Sequence, residues 1–318
     1  MENLASIEEF ALDVEKGLSS TPKYLQSKYL YNQKGSKIFE DIMRMPEYYL
    51  TDSELEIIEM HHEDISISFN CPDTYFEIIE LGAGDGVKTK ILLAHLLKKN
   101  NLFKYIPIDI SAKAIKNLEN DLSESLPNLN YKGLIGDYFQ LIPSLNGTAK
   151  KLLLFLGSNI GNFNQQESIY FLKKINRILH RGDQLLIGFD LKKDPEIILD
   201  AYNDAQGLTA AFNLNLLHRM NEELEADFNP NQFTHKEVYV SETGTAKSYL
   251  ISHVKQQVHI HKINKSFWFQ ENESIYMEMS QKYDIQMIES LAEQAGFEII
   301  NHFYDQPKWF VNSLWKVK

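Results

Sequence analysis

Cysteine is almost missing from this chain. Cys71 is the one thiol among 318 residues, so no disulfide can form within the chain. Long apolar runs are absent as well: no window approaches the roughly 18 continuous apolar residues that a membrane-spanning helix needs. Positive charge is in the minority, with 44 acidic against 32 basic residues and a formal net charge of -12. No long basic run offsets that balance, so a phosphate backbone would be repelled more than attracted. These absences exclude nucleic acid and membrane as partners and leave a small molecule. The opening stretch MENLASIEEF has neither a basic nor an apolar signal region, and the expected location is the cytoplasm. No sequence feature marks an oligomer interface.

One more absence is sharper. The stretch ELGAGDG at residues 80–86 follows an apolar run and carries Gly82, Gly84 and Gly86, but position 87 is Val87. The dinucleotide fingerprint needs its third glycine three residues after its second, so this spacing disfavours an NAD site. A metal centre is disfavoured too. The ten histidines include the pairs His61 with His62 and His259 with His261, and neither pair has an evident third ligand.

What is present is enough apolar material for a substantial core, 43% of the chain. Helical patterns fill the first sixty residues or so, including SIEEFALDVEKGL and TDSELEIIEMHHEDI. After them, short β-rich runs (YFEIIEL, KYIPIDI, NYKGLIGDY, KKLLLFLGS, DQLLIGFDL) alternate with amphipathic helices such as VKTKILLAHLLKK and QQESIYFLKKINRILHR. Strand and helix in repeated alternation predict a doubly wound α/β sheet. The alternation stops near residue 192, where a different kind of segment begins. KEVYVSETGTAKSYLISHVKQQVHIH predicts a hairpin turning at Glu242 to Thr245. Helix and strands return in DIQMIESLAEQAGF, EIINHFYD and KWFVNSLWKV. The expected organisation is one α/β domain, residues 1–191 with 284–318, including the helical N-terminal segment, interrupted by an inserted α+β domain at 192–283.

The acids around the glycine loop suggest its ligand. Glu80 and Asp85 flank the loop, Asp109 ends the next strand run, and Asp137 ends the one after it, followed by Tyr138 and Phe139. Acids at successive strand ends suit a cation that carries ribose hydroxyls better than they suit a pyrophosphate. S-adenosylmethionine (SAM), with its sulfonium, amino group and ribose, matches, and the aromatic pair is available to flank adenine. Each acid singly has a simpler use, as a helix cap for instance, which Asp109 or Ser111 would supply. The C-terminal helix and strand pair also resemble the close of the class I methyltransferase fold.

Four further stretches carry a closer resemblance: YLYNQKGSKIFEDIMRMPEYYLTDSE, FLGSNIGNF, AYNDAQGLTAAFNLNLLHRMNEELEADF and YMEMSQKYD. With ELGAGDGVKTKILL they resemble the histidine Nα-methyltransferases that form hercynine in ergothioneine biosynthesis, nearly end to end. The resemblance implies cofactor contacts at Gly82, Lys88, Asp109, Asp137, Tyr138, Gly157 and Ser158. It implies that Asn162 and Tyr202 receive the substrate carboxylate and that Tyr31, Phe39 and Tyr48 close around the reacting amine. Glu278 and Ser280 would then hydrogen-bond the imidazole. By residue type alone these side chains read otherwise: Phe39 and Tyr48 as core aromatics, Asn162 as a cap for the helix near Gln165, and Glu278 as the solvated face of a strand. Relatives that act on a prenylated tryptophan leave another aromatic amino acid or amine as the alternative substrate, and a non-catalytic SAM-binding sensor is the alternative of a different class. The chain departs from the family pattern at Ser248, where a methionine is common near the substrate ring, and at Asn159, where threonine is frequent.

Overall fold

The structure is a computed structural model describing residues 7–69, 74–145 and 147–318; Cys71 lies outside the described residues. Among those residues, an eight-stranded sheet forms the α/β core. From one edge it runs Phe297–Tyr304, Phe310–Val317, Gln184–Asp190, Lys150–Phe155, Phe76–Leu81, Phe103–Asp109 and Asn130–Tyr131, with Leu134–Ile135 also paired to Phe103–Asp109. The strands from Phe76–Leu81 to Gln184–Asp190 pair in parallel, and Phe310–Val317 enters antiparallel. Every residue of Gln184–Asp190 is buried, as a parallel strand covered on both faces requires. This is the expected doubly wound α/β sheet, closed by an antiparallel C-terminal strand pair.

Two expectations change in detail. The run NYKGLIGDY forms two short strands, because the chain breaks pairing at Lys132 and Gly133. A Cβ at Gly133 would lie 2.5 Å from Ile115 Cγ2, so the break lets the chain pass close beneath the helix Ala112–Ser125. The second change concerns organisation. The chain divides into one unit of Leu50–Lys192 with Lys282–Lys318, and another of Leu4–Tyr49 with Lys193–Gln281. The N-terminal helical segment therefore groups with the insertion rather than with the α/β core.

The reason lies in its apolar face. Phe10, Val14 and Leu18 of the helix Ile7–Ser19 share a core with Phe212, Leu216 and Met220 of the helix Leu208–Leu224. Arg219 is buried in that core: its Nη1 donates to the Tyr29 carbonyl at 2.8 Å, and its guanidinium lies 4.7 Å from the Phe10 ring centroid. Lys23–Tyr24 adds a short parallel strand to Ser274–Gln281. Beyond it the sheet continues through Thr245–Ser252 to Phe233–Val240, the last two forming the expected hairpin.

Within the α/β unit, the exit to the insertion and the return from it are pinned together. Lys282 Nζ meets Asp190 Oδ2 at 2.7 Å with both side chains fully buried. The Tyr283 N–H donates to the Asp190 carbonyl, and the Lys192 N–H to the Tyr283 carbonyl, each at 2.8 Å. Among the described residues no helix is long and apolar enough to cross a membrane.

Candidate functional site

In the α/β unit, Phe76–Leu81 has Phe103–Asp109 on one side and Lys150–Phe155 on the other. Successive connections leave it in opposite directions, so a crevice opens at the carboxyl ends of these strands. The glycine loop sits there. Gly82, Gly84 and Gly86 have φ of 70°, 55° and 65°, a region that side-chain-bearing residues rarely enter. They differ in surroundings: a Cβ at Gly86 would meet Leu118 at 2.5 Å, whereas at Gly84 it would meet nothing within 4 Å. Gly86 is thus needed for packing, and Gly84 leaves bare, exposed backbone for a ligand.

The acids separate by role. Asp109 Oδ2 accepts from the Gly84 N–H at 3.3 Å and Oδ1 from the Ser111 N–H at 2.8 Å. Ser111, not Asp109, caps the helix Ala112–Ser125. Asp137 caps the short helix Tyr138–Leu141, accepting from the Phe139 N–H at 2.6 Å, and stays exposed. Burial pushes the neighbouring Tyr138 phenol up to about 12. Glu80 corrects an expectation: it does not line the loop. It is buried, accepting from Thr89 Oγ1 at 2.6 Å and from the Tyr105 hydroxyl. Burial pushes its carboxyl up to about 7 against those hydrogen bonds, so it ties the first turn of the helix Val87–Lys98 to the sheet.

A second buried acid organises the other side of the crevice. Glu54, fully buried on the helix Tyr49–Phe69, pairs through Oε2 with Lys88 Nζ and accepts from the Gly157 N–H at 2.8 Å. Gly157 and Ser158 both have positive φ, 78° and 54°. Ser158 is buried, and its Oγ accepts from the Asp190 N–H at 3.0 Å. Asn162 ends the turn Asn159–Asn162 and is exposed. Asn164 rather than Asn162 caps the helix Gln165–Ile178, in a reciprocal capping box with Glu167.

The other unit assembles the remaining candidates. Asn32 caps the helix Gln33–Ile42, accepting from the Gly35 N–H at 2.8 Å, and its Oδ1 also accepts from Asn215 Nδ2 at 2.8 Å. A Cβ at Gly35 would lie 1.8 Å from the Leu30 carbonyl oxygen, so only glycine permits this approach. The result is an aromatic chain. Tyr31 packs edge-on to Phe39 and Phe212 at 5.4 and 5.3 Å, Phe39 to Tyr48 at 6.3 Å, and Tyr48 to Tyr202 at 6.2 Å. The Tyr202 hydroxyl donates to Ser280 Oγ at 3.0 Å, and its carbonyl meets His235 Nε2 at 3.0 Å. Glu278 and Ser280 alternate along Ser274–Gln281 and so share one face. Burial, then the field of Glu278, drives the Tyr31 phenol well above its ordinary value of 10. Thus Tyr31, Tyr202, Glu278 and Ser280 are brought together in this unit, with Phe39 and Tyr48 as aromatic walls.

Residues 10–317 match the family described as histidine-specific, SAM-dependent methyltransferase. The chain belongs to this family. Histidine N-alpha-methyltransferase of Mycobacterium tuberculosis is 32% identical over 302 residues, covering 95% of this chain and 93% of that protein. Ergothioneine biosynthesis protein 1 of Schizosaccharomyces pombe is 30% identical over 290 residues, which cover 88% of this chain and 37% of that longer protein. Among solved structures, magnesium protoporphyrin IX methyltransferase from Synechocystis is similar at a TM-score of 0.47 and 11% identity, covering 91% of this chain and 96% of that one.

SAM is the cofactor of this histidine-specific methyltransferase family, and the α/β unit suits it. Bare backbone at Gly84 and carboxylates at two strand ends fit a cationic nucleoside better than a pyrophosphate. One residue beside the glycine loop escaped the sequence reading. Glu54 lies in the quoted stretch ending TDSE, but nothing in its spacing announces a partner 34 residues away at Lys88.

Proposed function

We propose that the chain transfers methyl groups from SAM to the α-amine of L-histidine, ending at the trimethylated betaine. The observation that carries this reading is the joining of Tyr202 to Ser280 beside Glu278, with Tyr31 in Glu278's field. A carboxylate and a hydroxyl on one strand face suit the polar edge of an imidazole. The aromatic chain Tyr31, Phe39, Tyr48 suits an amine that gains methyl groups and a fixed positive charge.

In this reading Asp109 receives the ribose hydroxyls, Gly82 and Gly84 admit the cofactor to the loop backbone, Asp137 receives the adenine amino group, and Tyr138 covers the ring. Glu54 positions Lys88 beside the same ligand and, by accepting from the Gly157 N–H, fixes the Gly157 turn, while Ser158 holds its loop through Asp190. In the α/β unit Asn162 offers an exposed amide donor suited to a carboxylate, and in the other unit Tyr202 stands with Ser280 on the substrate side. When bound, SAM would supply an electrophilic methyl group that a neutral amine attacks in one step, the N–C bond forming as the C–S bond breaks and S-adenosylhomocysteine leaves. The chain must therefore hold the α-amine unprotonated and aligned, and positioning supplies most of the rate. Tyr31 is neutral at physiological pH; its oxygen accepts a hydrogen bond from the amine, and in a relay the N–H proton passes to that oxygen as the phenol's own proton leaves to water, so Tyr31 carries no charge.

Mass spectrometry of a reaction containing the protein, SAM and an equimolar mixture of the twenty amino acids tests the proposal. Histidine gaining three methyl groups is the expected product. Methylation of another amino acid in preference to histidine overturns the substrate, and no methylated product overturns the activity.

A further inference from the structure

Gly188 lies in the fully buried strand Gln184–Asp190, directly opposite Asn312 on Phe310–Val317. Glycine weakens a strand interior, and the backbone does not call for it here, since Gly188 is not among the glycines with positive φ. What calls for it is room. A Cβ at Gly188 would lie 2.3 Å from Glu54 Oε1, 3.0 Å from Phe310 Cε1 and 3.1 Å from Asn312 Oδ1. The bare Cα therefore makes the space that the Glu54 carboxylate fills. Glu54 Oε2 in turn pairs with Lys88 Nζ and accepts from the Gly157 N–H at 2.8 Å.

The other oxygen of that carboxylate points the same way. Among the described residues no donor meets Glu54 Oε1, and neither Oδ1 nor Nδ2 of the fully buried Asn312 has a partner. Buried polar atoms left this way are rare, and each costs the hydration it has lost. Here the orphans Glu54 Oε1 and Asn312 Oδ1 surround one point, the place a Gly188 side chain would take. The two ends of a carboxamide exchange by a half-turn of its last torsion, since oxygen and nitrogen are nearly alike in size. Turned so, Asn312 presents Nδ2 on the side of Glu54 Oε1, and an orphan donor meets an orphan acceptor.

Resting on the reading of Lys88 as a cofactor contact, we propose that Gly188 and Asn312 are positioning residues for the SAM site. Gly188 leaves room for the Glu54 carboxylate, and Asn312 donates to its Oε1. Both are buried and act through Glu54, which keeps Lys88 beside the glycine loop and the Gly157 turn in place. A methyl group added at Gly188 meets Phe310 and Asn312 on its other sides, so the carboxylate is the group that gives way. Its displacement releases Lys88 and the Gly157 N–H together.

Calorimetric titration with SAM, without histidine so that no methyl transfer runs, reads binding alone. Gly188→Ala is expected to weaken SAM affinity about tenfold, the size of a lost hydrogen bond to a charged group. In a Glu54→Ala background there is no carboxylate to displace, and the same change is expected to cost less than about twofold. Equal losses in both backgrounds would mean a disturbed strand and overturn the inference, as would unchanged affinity in Gly188→Ala alone. Should Gly188→Ala fail to fold, as its thermal midpoint would show, Asn312→Leu takes its place. That variant keeps the bulk and removes the donor, so SAM affinity is expected to fall about threefold or more with KM for histidine little changed; unchanged SAM affinity overturns the inference. Lys88→Met separates the two failures. If it weakens SAM binding while Gly188→Ala does not, the inference alone falls. If SAM binds Lys88→Met as it binds wild type, the reading of Lys88 falls and the inference with it.

Discussion

The two units build their candidate sites by different means. In the α/β unit the site is mostly backbone and short acids at strand ends: the open loop at Gly84, Asp109 bonded to it, and Asp137 capping the next helix. In the other unit the site is side chains drawn from three distant stretches, with Tyr31 and Phe39 from the N-terminal segment, Tyr202 from the helix Pro195–Tyr202, and Glu278 and Ser280 from a strand. A cofactor site made by topology tolerates changes in the surrounding sequence as long as the turn is preserved. A substrate site made by packing depends on each of the side chains it gathers.

That contrast can be broken at its strongest point first. The Lys282–Asp190 pair is fully buried in the α/β unit, and removing one partner leaves an uncompensated charge. Lys282→Met should cost about 3–5 kcal/mol, read as a lower thermal midpoint; an unchanged midpoint would show that the pair contributes nothing to this unit.

A smaller effect comes from Glu80, whose carboxyl burial moves from an ordinary 4.5 to about 7. Between those values the folded chain binds a proton that the unfolded chain has released, so stability falls as pH rises through the window, by about 3 kcal/mol in all. Denaturation of Glu80→Gln at several pH values should lack this slope. Persistence of the slope would mean that another group is responsible.

Smaller still, Glu54→Gln weakens the hold on Lys88 while keeping an acceptor for the Gly157 N–H. A roughly tenfold rise in KM for SAM, about 1.4 kcal/mol, is expected, with KM for histidine little changed. The opposite pattern would assign Glu54 to the substrate side.

The same contrast explains what was legible in the sequence. The α/β sheet followed from alternating strand and helix patterns because buried parallel strands are continuous apolar runs, as Gln184–Asp190 shows. The glycine loop followed from its spacing, and the division of labour between Gly84 and Gly86 explains why that spacing departs from the dinucleotide pattern. Glu80 misled because its position beside the loop says nothing about which way a strand residue points. The N-terminal segment was read as amphipathic correctly, yet its partner was not legible: periodicity shows which face of Ile7–Ser19 is buried, not that Leu208–Leu224 buries it. Tyr202 and Glu278 came from family resemblance alone, since a tyrosine near a helix end and an acid in an alternating strand look the same wherever they occur.

The central claim is that Glu278, in the unit that does not carry the glycine loop, grips the substrate's imidazole and not the cofactor. Steady-state kinetics of Glu278→Ala, varied separately against histidine and SAM, tests it most directly. The account predicts KM for histidine raised by about tenfold or more, with KM for SAM within about twofold of wild type. Unchanged histidine kinetics, or an equal rise for both ligands, would contradict it.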